Sequence, residues 1–187
     1  ASDNSWAQQT APDGTIFKQF FATSGWQTGL PTVTEVWSGG FKKKWTTVNW
    51  TQDDLNLSFQ KNPRVTETNV WDDANNRRRV TIDYYPTTSF SLPSDVYEYA
   101  ANGTTVLRRT HTDYHLSAAY TDRRIIGLVF AKLVYDGAGA LQSKSRYHYD
   151  WAAPWIEDRA GAKQHDDTNY GINFVVGRAN LVLIERW

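Results

Sequence analysis

The chain has 187 residues, with 20 Lys plus Arg against 20 Asp plus Glu and a formal net charge of zero. That length suits one domain with its own core and is short for two. The balanced charge argues against a nucleic-acid binder working by bulk electrostatics, and it removes one safeguard against self-association. Cysteine and methionine are both absent, which excludes disulfides, thiolate metal sites and cysteine nucleophiles. Without an initiator Met, Ala1 reads as a processed N-terminus or the edge of a fragment. No run of about 18 apolar residues is present to span a membrane, and no signal peptide is visible. Nine Trp, ten Tyr and eight Phe, with plentiful Thr and Val, make a strand-rich composition.

Taken in order, residues 1–14 are small and polar and close on the turn signal Pro12-Asp13-Gly14, which predicts a loop or extended arm. Thr15–Phe21 predicts a strand, and residues 24–31, with Gly25, Gly29 and Pro31, a loop. Thr32–Trp37 and Phe41–Thr51 flank Ser38-Gly39-Gly40 as a hairpin. Leu55, Leu57 and Phe59 form a short alternating patch. Arg64–Trp71 and Arg77–Tyr85 flank the turn at residues 72–76. Asp95–Tyr99 and Thr104–Tyr114 flank a turn that holds Asn102-Gly103, a strong hairpin signal. Leu116–Arg124 reads as one helical turn or an irregular loop. Ile125–Tyr135 is strand-like, the turn at Gly137-Ala138-Gly139 follows, and a strictly alternating strand leaves it. In that strand Leu141, Tyr147 and Tyr149 fall on one face and Arg146, His148 and Asp150 on the other, the pattern of a half-buried strand. Residues 152–173 are loop-rich, and Phe174–Val176 and Asn180–Trp187 predict two final strands. The expected fold is all-β, a stack of antiparallel hairpins with little or no helix. Residues 1–31 would be an arm and lead-in strand and residues 32–187 the repeat-like β domain.

Four turns align on an aromatic residue followed by a polar or small one: Trp71-Asp72, Tyr99-Ala100 with Gly103, Tyr135-Asp136 with Gly139, and Tyr149-Asp150. An aromatic before the turn can stack on neighbouring strands, and Asp can bond its own turn backbone. Glycine supplies the positive φ. One ribbon alone is marginal, so ribbons must stack to bury their aromatic faces.

Arg146-Tyr147-His148-Tyr149-Asp150 resembles the core of the Rhs or YD repeat, written GxxxRYxYDxxGRL. Residues 132–141 match the same pattern through Tyr135, Asp136, Gly139 and Leu141, with Lys and Ala in place of Arg. Tyr97-Glu98-Tyr99 with Gly103 is a copy that lacks the Asp. The likeness covers most of the chain after about Trp37. It implies a shell or adhesive ectodomain built from many such repeats, which this chain is too short to close. The fourth turn has Ala153 where Gly is expected, and the DPxGW-type self-cleavage signature of such proteins is absent.

His111-x-x-x-His115 would be a metal pair only on a helix, and its surroundings read as a strand end. His148 and His165 stand apart. Gln164-His165-Asp166-Asp167 could hold a cation through its carboxylates, but it reads more simply as a polar turn. The carboxylate pairs Asp53-Asp54, Asp72-Asp73 and Asp166-Asp167 are adjacent, so on a strand they face opposite ways and make no acid–base pair. Lys42-Lys43-Lys44 and Arg77-Arg78-Arg79 read as solvent-facing strand cations that discourage edge pairing, or as partners for Asp72 and Asp73 of a neighbour. Asn49, Asn56 and Asn102 fit the N-glycosylation pattern.

The expectation is therefore a non-catalytic, secreted or cell-surface structural protein without cofactor or metal. Its partner would be itself, by β-strand addition into a filament or shell, or flanking repeats of a longer chain. The N-terminal arm would cross to a neighbour. The alternative is a carbohydrate-binding or adhesive module that uses its tryptophans on surface glycans.

Overall fold

The computed structural model describes residues 5–150 and 177–187. These form one antiparallel sheet whose strand order is the chain order. The strands are β1 (Trp6–Thr10), β2 (Ile16–Phe21), β3 (Pro31–Ser38), β4 (Phe41–Thr51), β5 (Arg64–Asp72), β6 (Arg77–Tyr84), β7 (Pro93–Tyr99), β8 (Val106–Tyr114), β9 (Val129–Asp136), β10 (Leu141–Tyr149) and β11 (Leu181–Arg186). One helical turn, α1 (Ala118–Thr121), crosses between β8 and β9, as the reading of residues 116–124 allowed. Pro31 and Pro93 open β3 and β7, where a missing N–H costs the ladder least.

Two expectations change. The N-terminal arm contains a strand: β1 pairs with β2 of the same chain, Trp6 opposite Phe20 and Thr10 opposite Ile16. The alternation in β10 predicts one covered face, yet the strand is half-buried on both faces from Lys144 to Tyr149. The described strands all belong to one sheet. Among the described residues the backbone of each strand lies close only to that of its ladder neighbours.

The described strands enclose little apolar core. Tyr120 and Ala131, 5% and 3% exposed, are the buried apolar side chains among the described residues, alongside five polar ones, Gln52, Asn69, Ser91, Asp95 and Asp150. Buried polar groups must be hydrogen-bonded, and these are. Asn69 donates to Glu67 at 2.6 Å and accepts from Arg77 at 2.6 and 2.9 Å. Ser91 donates to Asp53, which also pairs with Arg64.

Cross-strand partners share a face. One face carries the row Glu67, Thr81, Tyr97, Arg109 and Tyr135. The other carries Ile82, Val96, Thr110, Val134 and Ser143. The first face is held by cations lying on rings: Arg77 over Trp71 at 5.5 Å, Arg79 over Tyr99 at 4.6 Å, and Arg109 over Tyr135 at 5.2 Å. Each of these guanidiniums also meets an acceptor: Asn69, Glu67 and Asp95 respectively. Side chains from adjacent strands thus cover one another, which a single layer requires.

Candidate functional site

The repeat-signature residues occupy the turns and the strand ends beside them. Asp72 Oδ1 accepts the N–H groups of Ala74 and Asn76 at 3.0 and 2.9 Å. Asp136 Oδ1 accepts those of Ala138 and Ala140 at 3.0 and 2.9 Å. The same offsets and distances make the two turns one device. At the intervening turn Asn102 does this work, accepting from Thr104 and Thr105 at 3.0 Å. This is how the copy without an Asp closes. Gly139 has the positive φ expected of it, +86°, and Gly103 has +70°.

Asp150 departs from the pattern. Among the described residues its carboxylate reaches far along the chain. It gathers the N–H groups of Gly177, Arg178, Ala179 and Asn180 at 2.8 to 3.0 Å, and its own N–H donates to the Asn180 carbonyl. The residues after Asp150 in the predicted turn, and the predicted strand Phe174–Val176, lie outside the described residues. The segment that Asp150 holds leads directly into β11.

The signature aromatics pack between ribbons. Trp71 stacks on Trp45 at 5.4 Å and 8°. Tyr97 lies under Arg109 at 5.9 Å. Tyr149 meets the edge of the His115 ring at 5.5 Å. Arg146 lies over Phe130 at 4.7 Å. Tyr147 stands opposite Ile184 of β11. Leu141 is half-exposed at 51% and packs little.

The histidines separate. His111 sits between Asp95 at 2.9 Å and Asp113 at 3.1 Å, while Arg109 bonds Asp95 and the Tyr85 hydroxyl bonds Asp113. Burial alone would raise the Asp95 pKa, but Arg109 and His111 hold it below its usual value. Burial and the Asp113 carboxylate push Tyr85 up to about 12. His115 lies in a box of Tyr120, Phe130 and Tyr149, and burial lowers its pKa. His148 Nε2 reaches Glu185 of β11 at 2.9 Å. No group of three or more side chains is arranged for a metal ion among the described residues. Gln164-His165-Asp166-Asp167 lies outside them.

Four of the six cations in the basic triplets have partners in the chain. Lys42 pairs with Glu35, Lys43 with Asp73, Arg77 with Asn69, and Arg79 with Glu67, all within the chain. Lys44 and Arg78 remain exposed. Four tryptophans are committed internally: Trp45 and Trp71 to their stack, Trp37 to Glu35 and Trp50 to the Pro31 carbonyl. Trp6 at 47% and Trp187 at 63% are exposed, one at each end of the sheet. Trp187 borders an open hollow of about 380 Å³ with Leu141, Gln142, Ser143 and Lys144. Asn49, Asn56 and Asn102 are all exposed.

The sequence reading missed the Asp95–His111–Asp113 cluster. Its one signal was the hairpin about Asn102-Gly103, and a register shift between Glu98 and Tyr99 displaces the pairing that turn would give.

No protein-family model matches the chain, and no curated protein does. Among solved structures, it is similar to a porin-like protein from Bacteroides uniformis at 12% identity and a TM-score of 0.27, over 79% of this chain and 82% of that one. At that TM-score the likeness carries no argument about fold or function.

Proposed function

We propose that the chain is a non-catalytic structural element of the secreted or cell-surface kind, assembled from YD-like hairpins, that works by edge-to-edge continuation of its sheet. The observation that carries this reading is the sequential ladder, in which each strand's backbone neighbours only the strands before and after it. A single layer in which each ribbon is supported by the next behaves as a repeat array, and such arrays are stabilised by adding neighbours. The turn aspartates, the cation–aromatic rows and the five buried polar groups all have structural partners within the chain. Among the described residues β1 and β11 each keep one edge without a ladder partner, and an unpaired edge is a template for another strand. Expected is a concentration-dependent rise in mass by light scattering, with sheets or filaments in electron micrographs. A strictly monomeric species at millimolar concentration rejects the reading.

The hollow beside Trp187 favours a second reading, a glycan-binding surface. The indole ring is 63% exposed, with the Lys144 ammonium over it at 5.2 Å and the Ser143 hydroxyl beside the hollow, and offers stacking and polar contacts to a pyranose ring. Binding predicts retention in polysaccharide affinity gels that Trp187→Ala abolishes. Unretarded wild-type protein across neutral and acidic glycans removes this reading.

A further inference from the structure

We propose that the outer edge of β11 pairs antiparallel with β11 of a second copy of this chain, about a two-fold axis at Glu185. The inference rests on the structural reading above and specifies its contact.

Strand direction comes first. Every ladder is antiparallel and the order is sequential, so all odd-numbered strands run the same way. β1 and β11 are both odd. Translating one copy onto the next would therefore lay β11 beside a parallel β1, with slanted bonds and weaker pairing per residue. An antiparallel continuation at either end needs a two-fold operator that brings like edge to like edge.

Composition then selects the edge. β1 is five residues long with Ala7-Gln8-Gln9 at its centre. β11 begins Leu181-Val182-Leu183-Ile184, and Leu181 is 49% exposed, Ile184 37% and Trp187 63%. An apolar edge is the one that gains from being covered.

The hydrogen bonds set the register. Trp187 and Lys144 exchange both backbone bonds, at 2.9 and 3.1 Å. By alternation Trp187, Glu185 and Leu183 turn their backbone groups to β10, and Ile184 and Arg186 turn theirs outward. A register shift between His148 and Tyr149 breaks the alternation at Val182, which leaves Ile184 and Arg186 as the regular outward pair. An axis at Glu185 satisfies both reciprocally, Ile184 with Arg186 of the second copy and the reverse. On one face Trp187 then covers Leu183 of the second copy. On the other, Ile184 lies along the aliphatic stem of Arg186. The opposing cost is Glu185 facing its own counterpart, each held by its own His148 at 2.9 Å.

The absence of cysteine makes a single introduced thiol a clean reporter. Residues on the axis form a non-hydrogen-bonded pair with Cα atoms about 4.5 Å apart, within disulfide reach. Mild oxidation is expected to give a covalent dimer from Glu185→Cys and none from Gln8→Cys at the centre of β1. Glu185→Gln removes the like-charge opposition and is expected to tighten the dimer about two- to fivefold in sedimentation. Ile184→Pro deletes an outward N–H without touching a bond to β10, and is expected to give a monomer with an unchanged far-UV spectrum. Assembly that persists in Ile184→Pro, or crosslinking of Gln8→Cys in place of Glu185→Cys, overturns the β11 pairing and leaves the structural reading standing. A wild-type chain that stays monomeric at every concentration overturns both.

Discussion

Asp150→Ala is expected to cost about 3 to 5 kcal/mol of unfolding free energy and to lower the thermal midpoint by on the order of 10 °C. The carboxylate is 3% exposed and accepts four consecutive backbone N–H groups. Deleting it leaves several donors unpaired in a covered site, and each such group carries its own desolvation penalty of about 1 to 3 kcal/mol. The damage should be local. Hydrogen exchange is expected to show the amides of residues 177–180 and of β11 losing protection while β2 to β8 keep theirs. Uniform loss across the sheet, or a midpoint within 2 °C or so of wild type, would contradict this account.

The same group sets a pH limit. Burial alone would raise the Asp150 pKa, but the N–H groups of Asn180, Ala179 and Arg178, with the Tyr120 hydroxyl, outweigh it and hold the carboxyl below its usual range. A folded-state value below the unfolded one means the contribution is complete above the unfolded pKa of about 3.9. It is lost as pH falls through the folded value. Protection of β11 should therefore hold through mild acid and collapse below about pH 4, and in Asp150→Ala this acid step should vanish.

Gly137→Ala is the second large effect, expected at about 1 to 3 kcal/mol. A Cβ on Gly137 would stand 2.1 Å from the Val106 carbonyl oxygen and 3.1 Å from its carbon. These are backbone atoms of the neighbouring hairpin, so relief requires the turn after β9 to move away from β8. Gly139, two residues on, separates this cause from backbone conformation. A Cβ there meets nothing within 4 Å, but φ is +86°, so Gly139→Ala should cost about 1 to 2 kcal/mol through strain alone. Chemical denaturation of both variants measures the two effects. Equal losses accompanied by unchanged exchange at Val106 would show that close approach plays no part.

These two glycines also show how far the sequence could be read. The turn at Gly137-Ala138-Gly139 and the bonding role of Asp136 were legible because they depend on residues a few positions apart. The strands β2 to β11 were legible for the same reason. Gly137's approach to Val106 was not, since it depends on which hairpin stands alongside. Strand β1 escaped because Trp6-Ala7-Gln8-Gln9-Thr10 is exposed along its whole length and its apolar residues are adjacent, leaving no apolar alternation to detect. The Asp95–His111–Asp113 cluster and the Asp150 clasp were hidden by register. Every ladder except β1–β2 and β5–β6 contains a shift, and one inserted residue changes which side chains stand opposite. The partners of Asp150 lie 27 to 30 residues along the chain, beyond any local pattern.

The sequential ladder also has a kinetic consequence. All-β proteins fold slowly when their strands pair across long stretches of chain, because loop closure must precede contact. Here half of the ladders close through connections of two to six residues and all but the last through at most 14, so contact order is low for a sheet of this width. The hairpins from β1 to β10 can zip one after another as the chain is made. The β10–β11 ladder, whose ends are separated by the long segment after Asp150, closes last. The edge proposed to meet a second copy would then form only once the rest of the sheet is in place.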